Sequence, residues 1–528
     1  MSWTQRLRSA APSVSLPSTS TSAAPAARAA PRKMAALLML GALASKILGF
    51  AREILMAQVL GASLLADGYR GAVTVILLPL CFLQNESAPA ILIPMLQRAQ
   101  AEGRAPRLLA SLCCALTLAA IAVMLCVQTL GPWWIDLMLG GFTPEGKALT
   151  LSYVEIMSFA MPASVLVNTL AAGEIALGKT RLSNLRAGLL NLSMIIGLAL
   201  YAFLGWFGAL AWPFTLSFNA LALFGLWSRY RERTLDSSGA HPAMIFAAGR
   251  EFLWRLRPLL ALPFAEQTQV WIERLAASRN VTGAVASLDY SRTLSDTALL
   301  LISQPVGLAY MSSYRKDESH RQIEAITRLI LALTVPASAF VFVFASDIVR
   351  LVFFRGAFSE TGLLLASATL RGVSIGLWAS TLGWILLRHL NSEGRNARAT
   401  LIVVGAYLVN IVINALGAWL APPLGLGMLL IGLGESARSL TLLAGTTWAL
   451  PNRGRILSLT CVAAAPGAAM LAAGWMIEAQ ASALAPRLIA GAAACAVCTA
   501  AGAFVLLPQL RGAGFSKLRK LLGPGERP

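Results

Sequence analysis

The chain has 528 residues, of which 57% are hydrophobic and 13% are charged, and its net charge is +19. This composition excludes an ordinary soluble domain and predicts an all-α polytopic membrane protein. The positive charge does not indicate a nucleic-acid partner, because the basic residues lie between apolar runs and are not grouped on one face. The partner that composition predicts is the lipid bilayer.

The chain begins with a segment that is rich in Ser, Ala, Pro and Arg and cannot form an apolar core. We predict that residues 1–33 are a disordered, basic cytoplasmic tail. No short apolar run followed by a cleavage site occurs there, so we expect the first apolar run to remain in the mature protein.

Fourteen apolar runs follow, each long enough to cross about 30 Å of hydrocarbon as a helix. The predicted spans are 34–60, 67–97, 107–130, 149–175, 184–205, 207–228, 252–276, 283–312, 324–353, 361–388, 398–421, 424–449, 456–477 and 485–508. We predict five further divisions: an N-lobe over 34–228, a cytoplasmic linker over 229–251, a C-lobe over 252–449, an added helix pair over 456–508 and a basic cytoplasmic tail over 509–528.

The basic residues support this count independently of hydropathy. Alternate loops carry Lys and Arg, as after the second span at Arg98, Arg104 and Arg107, whereas most of the opposite loops are poor in them. Cytoplasmic loops carry this excess in membrane proteins, so both termini are predicted to be cytoplasmic. If one span were removed, every later loop would fall on the opposite side of the membrane, and the basic loops would no longer be cytoplasmic.

An internal repeat relates the two lobes at an offset of about 216 residues. Gly140-Gly-Phe-Thr-Pro-Glu-Gly146 follows the third span, and Gly356-Ala-Phe-Ser-Glu-Thr-Gly362 follows the ninth. A shift of six spans preserves orientation, so the lobes are predicted to be parallel repeats around a central site.

Charged residues within the spans concentrate in spans 1, 2, 7 and 8, the equivalent pairs of the two lobes. They are Lys46, Arg52, Glu53, Asp67 and Glu86 in the N-lobe, and Glu266, Glu273, Arg274, Asp289, Arg292 and Asp296 in the C-lobe. Charges in lipid are costly, so these side chains are expected to face a polar cavity, where Lys and Arg attract phosphate or carboxylate. Structural ion pairs near helix ends are the alternative.

Two subsets of these residues have distinct predicted roles. Lys46, Arg52, Asp67, Glu86 and Arg292 are the predicted substrate-binding residues. Glu266 and Asp296 are candidates for ion or proton coupling, with a structural hydrogen bond as the alternative for the deeper acids Glu266 and Glu86.

Ser45-Lys-Ile-Leu-Gly-Phe-Ala-Arg-Glu53 and Gly61-Ala-Ser-Leu-Leu-Ala-Asp67 resemble the first-span signature of the MurJ/MviN-type lipid II flippases. Those proteins belong to the multidrug/oligosaccharidyl-lipid/polysaccharide exporter superfamily. Leu351-Val-Phe-Phe-Arg-Gly-Ala-Phe358 and Ser287-Leu-Asp-Tyr-Ser-Arg-Thr-Leu294 extend the resemblance, which covers about 34–510.

The resemblance implies fourteen spans and an inner-membrane flippase that moves a polyprenyl-pyrophosphate-linked cell-wall precursor outward by alternating access. It also implies that the lipid tail lies along spans 13 and 14. Lys46, Arg52 and Asp67 match functional positions of the family. The sequence departs from the family pattern at Leu80 and Cys81, where two adjacent arginines are expected, and at Thr293, where Arg292 precedes the expected basic position.

We therefore expect a lipid II flippase, dependent on a cation or the membrane potential. The alternatives are a flippase for another lipid-linked oligosaccharide, such as an exopolysaccharide or O-antigen unit, then a drug or cation antiporter of the same superfamily. A scaffold for synthesis enzymes is a further possibility. We expect no enzyme, cofactor or metal site, because His241, His320 and His389 lie in cytoplasmic loops or at span ends and no paired carboxylates occur in a long outer loop.

Overall fold

The computed structural model describes residues 25–84, 87–236, 238, 241–297, 319–420 and 423–507. These residues form helices joined by short loops. We number the helices in chain order as α1 (Pro25–Leu60), α2 (Leu64–Gln84), α3 (Ser87–Ala101), α4 (Ala105–Thr129), α5 (Gly131–Met138), α6 (Pro144–Met157), α7 (Ala160–Ala176), α8 (Arg181–Leu204), α9 (Gly208–Arg231), α10 (Pro242–Leu256), α11 (Ala261–Ser278), α12 (284–297), α13 (Ser319–Val343), α14 (Ala345–Phe353), α15 (Glu360–Ser392), α16 (Asn396–Leu420), α17 (Leu424–Ala449), α18 (Arg453–Gln480) and α19 (Leu484–Leu506).

The helices confirm the all-α membrane class, while the count of fourteen spans is not established. Ten helical spans among the described residues are long and apolar enough to cross a membrane, or eleven if α6 and α7 form one bent span. The axes of α6 and α7 differ by 50°. The predicted spans 34–60, 252–276 and 283–312 correspond to α1, α11 and α12, which carry several charges or continue beyond the described residues. These three spans therefore stay predictions.

Several helix boundaries differ from the sequence prediction. Helix α1 begins at Pro25, inside the predicted tail, because the Ala-rich segment before Met34 has high helix propensity. The predicted span 324–353 is divided into α13 and α14. Residues 1–24 and 508–528 lie outside the described residues, so most of the predicted tail over 1–33 and all of that over 509–528 remain predictions.

The repeat found in the sequence has the same local structure in both lobes. The Thr143 hydroxyl accepts a hydrogen bond from the Gly146 backbone N–H at 3.2 Å at the start of α6, and the Ser359 hydroxyl accepts one from the Gly362 N–H at 3.1 Å at the start of α15. Both are N-caps, which satisfy a backbone donor that the helix itself leaves unpaired. The repeated motif thus starts an equivalent helix in each lobe.

The added pair α18 and α19 packs against the C-lobe. Gly491 of α19 lies so close to the Phe344 ring that a Cβ atom would be 2.6 Å from it. Arg487 donates a hydrogen bond to Asp347 at 2.8 Å, which joins α19 to α14. Close packing and this ion pair fix the added pair beside the lobe.

A buried ion pair ties the ends of three N-lobe helices together. One Glu174 oxygen accepts from Arg229 at 3.1 Å and the other accepts from the Leu182 backbone N–H at 2.5 Å. Arg229 and Glu174 are each at most 3% exposed at the side chain. Arg229 also pairs with the more exposed Glu232 at 3.2 Å, so Glu174 supplies the buried half of its acceptors.

We therefore expect Glu174→Ala to destabilise the N-lobe by about 1–3 kcal/mol, because the buried Arg229 guanidinium and the Leu182 backbone N–H both lose an acceptor. Thermal unfolding of the purified protein in detergent measures this as a lower melting temperature. The control is Glu145→Ala, which removes an exposed glutamate at the start of α6. Equal melting temperatures for the two variants would contradict the structural role of the pair.

Candidate inter-lobe cavity and its closed end

The two lobes meet where α1 ends and α2 begins, and we call this region, residues 58–67, 278–290 and 355–362, the closed end. Its main polar contact is made by Asp67, which is 2% exposed. Its carboxylate accepts hydrogen bonds from the backbone N–H groups of Gly283 at 2.6 Å and Ala286 at 2.7 Å. Asp67 of the N-lobe therefore caps helix α12 of the C-lobe, where an anion also interacts favourably with the helix dipole.

Glycines allow the two backbones to approach at the closed end. A Cβ atom on Gly61 would lie 2.2 Å from the Ala357 carbonyl oxygen, and one on Gly283 would lie 2.3 Å from that of Ala62. Both glycines have positive φ, 64° and 91°, which other residues rarely adopt. The Tyr290 hydroxyl also donates to the Gly61 carbonyl at 2.9 Å. The lobes are thus in direct backbone contact at this end.

Five charged side chains form a continuous chain beside the closed end, in the order Arg52, Glu53, Arg70, Asp289 and Arg274. Glu53 accepts from Arg52 and from Arg70, each at 2.5 Å. Asp289 accepts from Arg70 at 2.7 Å and from both terminal nitrogens of Arg274 at 2.6 and 2.8 Å. We call this set the ion cluster. Its three guanidinium and two carboxylate groups alternate in sign and leave one positive charge in excess.

A cavity of about 410 Å³ lies between α2 and α11. Its walls include Thr74, Cys81 and Gln84 of the N-lobe and Glu266 and Arg274 of the C-lobe. Because Arg274 belongs to both, the ion cluster ends in the cavity wall. The cavity thus offers one guanidinium to an anion, with the Glu266 carboxylate in the same wall.

The predicted substrate-binding residues of α1 differ in their surroundings. Lys46 is exposed, forms no ion pair with an Asp or Glu of the described residues, and interacts electrostatically with Asp296, the exposed predicted coupling residue on α12. Arg52 is paired with Glu53 and also donates to Asn191 at 3.0 Å. Lys46 is thus available to an anion, whereas Arg52 is already neutralised by its neighbour.

The remaining predicted site residues lie in three different places. Arg292 is ion-paired with Glu273 inside the C-lobe. Glu266 lines the cavity, whereas Asp67 lies at the closed end, where it binds backbone groups. Glu86 lies outside the described residues. The structure thus places Glu266 in the cavity wall and Lys46 near Asp296, and it does not place Arg292 as an unpaired cation.

Residues outside the predicted site contribute strongly to this region. Arg70 is the centre of the ion cluster and lies 4.6 Å above the Tyr290 ring. Its signal in the sequence is its position three residues after Asp67, which places both on one helix face. In the C-lobe, Asn410 donates to Glu273 at 2.9 Å, and Arg438 pairs with Glu435. Asn410 is uncharged and has no distinctive spacing in the sequence, whereas Glu435 and Arg438 are three residues apart, a spacing that places both on one helix face.

Comparison with known proteins identifies the family. The family model described as "Lipid II flippase MurJ" matches residues 56–497. The chain belongs to this family. A "Probable lipid II flippase MurJ" of Vibrio cholerae serotype O1 is 24% identical over 428 residues, which cover 73% of this chain and 77% of the relative.

Solved structures support the fold of this MurJ family member. A structure titled "Lipid II flippase MurJ, inward closed conformation" matches with a TM-score of 0.77 and 17% identity, covering 90% of this chain and 99% of that one. An inward-facing multidrug resistance MATE family transporter of the MOP superfamily matches with a TM-score of 0.59 and 14% identity, covering 78% and 95%. At these identities the matches show a shared fold.

We expect Asp67→Ala to loosen the closed end, because it removes the acceptor for two buried backbone N–H groups. A cysteine introduced at Ala62 should then react several-fold faster with a membrane-impermeant maleimide than it does with Asp67 intact.

The matched control is Ser63→Ala, since Ser63 lies in the same loop and its hydroxyl accepts from Ala66 within the N-lobe. The control should leave the labelling rate unchanged. An unchanged rate in Asp67→Ala as well would show that the contact does not hold the lobes together.

Proposed function

We propose that this protein is a flippase that moves lipid II from the inner to the outer leaflet of the bacterial inner membrane by alternating access. The observation that carries the proposal is the Arg274 guanidinium, which belongs to the ion cluster and lies in the wall of an inter-lobe cavity. A pyrophosphate is strongly anionic, and guanidinium groups bind phosphate oxygens with directed, charge-assisted hydrogen bonds. Membership of the lipid II flippase family supports the same substrate.

The orientation completes the proposal. With both termini cytoplasmic, as the distribution of Lys and Arg predicts, α1 ends at the outer face of the membrane and the closed end faces outward. The cavity then opens inward and receives its substrate from the cytoplasmic leaflet. Outward release requires the Asp67 cap and the contacts of Gly61 and Gly283 to separate.

An apolar groove supports a place for the lipid tail. A cavity of about 340 Å³ lies between α13, α15 and α18, with Phe342, Trp378 and Leu471 among its lining residues. Its walls are mainly hydrocarbon and suit a polyprenyl chain. We propose that the tail lies in this groove, beside the added helix pair, while the polar headgroup occupies the inter-lobe cavity.

A flippase for a different polyprenyl-pyrophosphate-linked glycan is the second candidate. It is favoured by Leu80 and Cys81, which are 0% and 6% exposed and apolar where the family pattern has two arginines. Without those charges the N-lobe wall binds the headgroup through fewer cations. Coupling to a cation or dependence on the membrane potential would suit either substrate.

We expect Lys46→Ala to lower the transfer of fluorescent lipid II between the leaflets of proteoliposomes by about 10–100-fold. The reason is the loss of a charge-assisted hydrogen bond to phosphate, typically about 1.5–3 kcal/mol. Lys147→Ala is the matched control, because Lys147 is paired with Asp136 away from the cavity.

Two results would count against the proposal. Equal transfer by the Lys46→Ala variant and the wild type would exclude Lys46 from substrate binding. Failure of the expressed wild-type protein to support growth of a bacterium depleted of its own lipid II flippase, together with transfer of an O-antigen or exopolysaccharide precursor in vesicles, would favour the second candidate.

A further inference from the structure

A chain of hydrogen bonds leads from α8 to the cavity wall through residues to which the proposed function gives no role. Arg186 of α8 donates to the side-chain oxygen of Asn168 on α7. The Asn168 amide nitrogen donates to the side-chain oxygen of Gln84 at 2.9 Å. The Ser164 hydroxyl lies 3.1 Å from the same Gln84 oxygen. Gln84 is the member of this chain that lines the inter-lobe cavity.

The chemistry of Arg186 fixes the direction of the whole chain. A guanidinium group can only donate hydrogen bonds, so the atom of Asn168 that faces Arg186 must be the oxygen. The Asn168 nitrogen must then face Gln84, which in turn must present its oxygen to Asn168. An amide side chain can otherwise be rotated by half a turn with almost no change in shape. Arg186 thus selects one of two nearly equivalent orientations at both amides.

The consequence appears at the cavity surface. With its oxygen bound to Asn168 and Ser164, Gln84 directs its amide nitrogen, which carries two donors, away from α7. Gln84 is one helical turn beyond Cys81 on α2, so its amide donor lies beside the apolar pair Leu80 and Cys81. The N-lobe wall therefore offers a neutral hydrogen-bond donor near the place where the family pattern has cations.

Arg186 has no acidic partner that would explain it as an ordinary ion pair. Asn168 is the hydrogen-bond acceptor that the described residues provide for its guanidinium, and none of their Asp or Glu side chains forms an ion pair with it. In contrast, Arg52, Arg70 and Arg274 all contact carboxylates. A carboxylate beside Arg186 would cancel the charge of its guanidinium. The guanidinium would still donate to Asn168, so the orientation of the Asn168 and Gln84 amides would be unchanged.

We propose that Gln84 donates a hydrogen bond from its Nε2 atom to an oxygen of the substrate headgroup, and that Arg186 is a positioning residue that fixes this donor through Asn168. The inference rests on the proposed function and names a recognition element within it. The ligand chemistry is an oxygen acceptor, which the pyrophosphate and the glycan both contain. Gln84 is thus a specificity residue for a headgroup that presents an acceptor to the N-lobe wall.

The test is leaflet transfer of fluorescent lipid II by the full chain in proteoliposomes, measured over a range of lipid concentrations. Gln84→Glu keeps the shape and replaces the donor with an acceptor, and Arg186→Met removes the group that orients Asn168. Both should raise the half-saturating lipid II concentration about tenfold, the effect of about one lost hydrogen bond, with maximal rates within about twofold of the wild type. Arg186→Lys retains a donor-only cation and should stay within about threefold of the wild type.

Gln480→Glu is the control for the added negative charge, because Gln480 is exposed at the end of α18. It should not change the half-saturating concentration. A parallel series with polyprenyl pyrophosphate that lacks the sugar identifies the acceptor. The same shift with both lipids assigns the bond to the pyrophosphate, and a shift with lipid II alone assigns it to the glycan.

The inference is overturned if the wild type transfers lipid II and folded Gln84→Glu retains its half-saturating concentration. That result would leave the proposed function intact. Should Arg186→Met fail to fold, Gln84→Glu and Gln84→Leu decide the question, since both remove the donor from the cavity surface. A wild-type chain that transfers neither lipid would refute the proposed function and this inference together.

Discussion

The contact on which the structure depends most is the capping of α12 by Asp67 across the lobe boundary. A carboxylate buried at the boundary is costly unless its oxygens are bound, and here both bind backbone N–H groups of the other lobe. The same interaction positions Asp289, the sixth residue of α12, so that its carboxylate accepts a hydrogen bond from Arg70. Separation of the lobes must therefore break a helix cap and an ion pair together, which couples the outer contact to the charge in the cavity wall.

The ion cluster explains why so many charges are tolerated inside an apolar bundle. Each carboxylate lies between two guanidinium groups, so no charge of the set is without an opposite neighbour. Arg70 is 7% exposed and also faces the Tyr290 ring, which adds a cation–π interaction. Alternation thus satisfies the buried charges of the set.

Much of the fold could be predicted from the sequence, because hydropathy, loop charge and the repeated motif all act locally. The equivalent caps at Thr143 and Ser359 are an example. The candidate site was harder to predict than the fold. In the sequence, Arg52 and Arg292 look like unpaired cations. Their neutralisation by Glu53 and Glu273 depends on side-chain rotamers and on packing between helices. Asn168 and Gln84 carry no charge and no motif, so only their contacts with Arg186 distinguish them from ordinary polar residues in a membrane helix.

The repeating unit contains an even number of predicted membrane crossings, and this has a consequence for how such a protein can arise. A gene segment that encodes six crossings can be copied in tandem without inverting the second copy, so a single duplication event yields two halves of identical polarity. Each half can then diverge separately. Thr143 and Ser359 make the same cap at their helix starts, whereas Arg70 and Asp289 are complementary across the boundary.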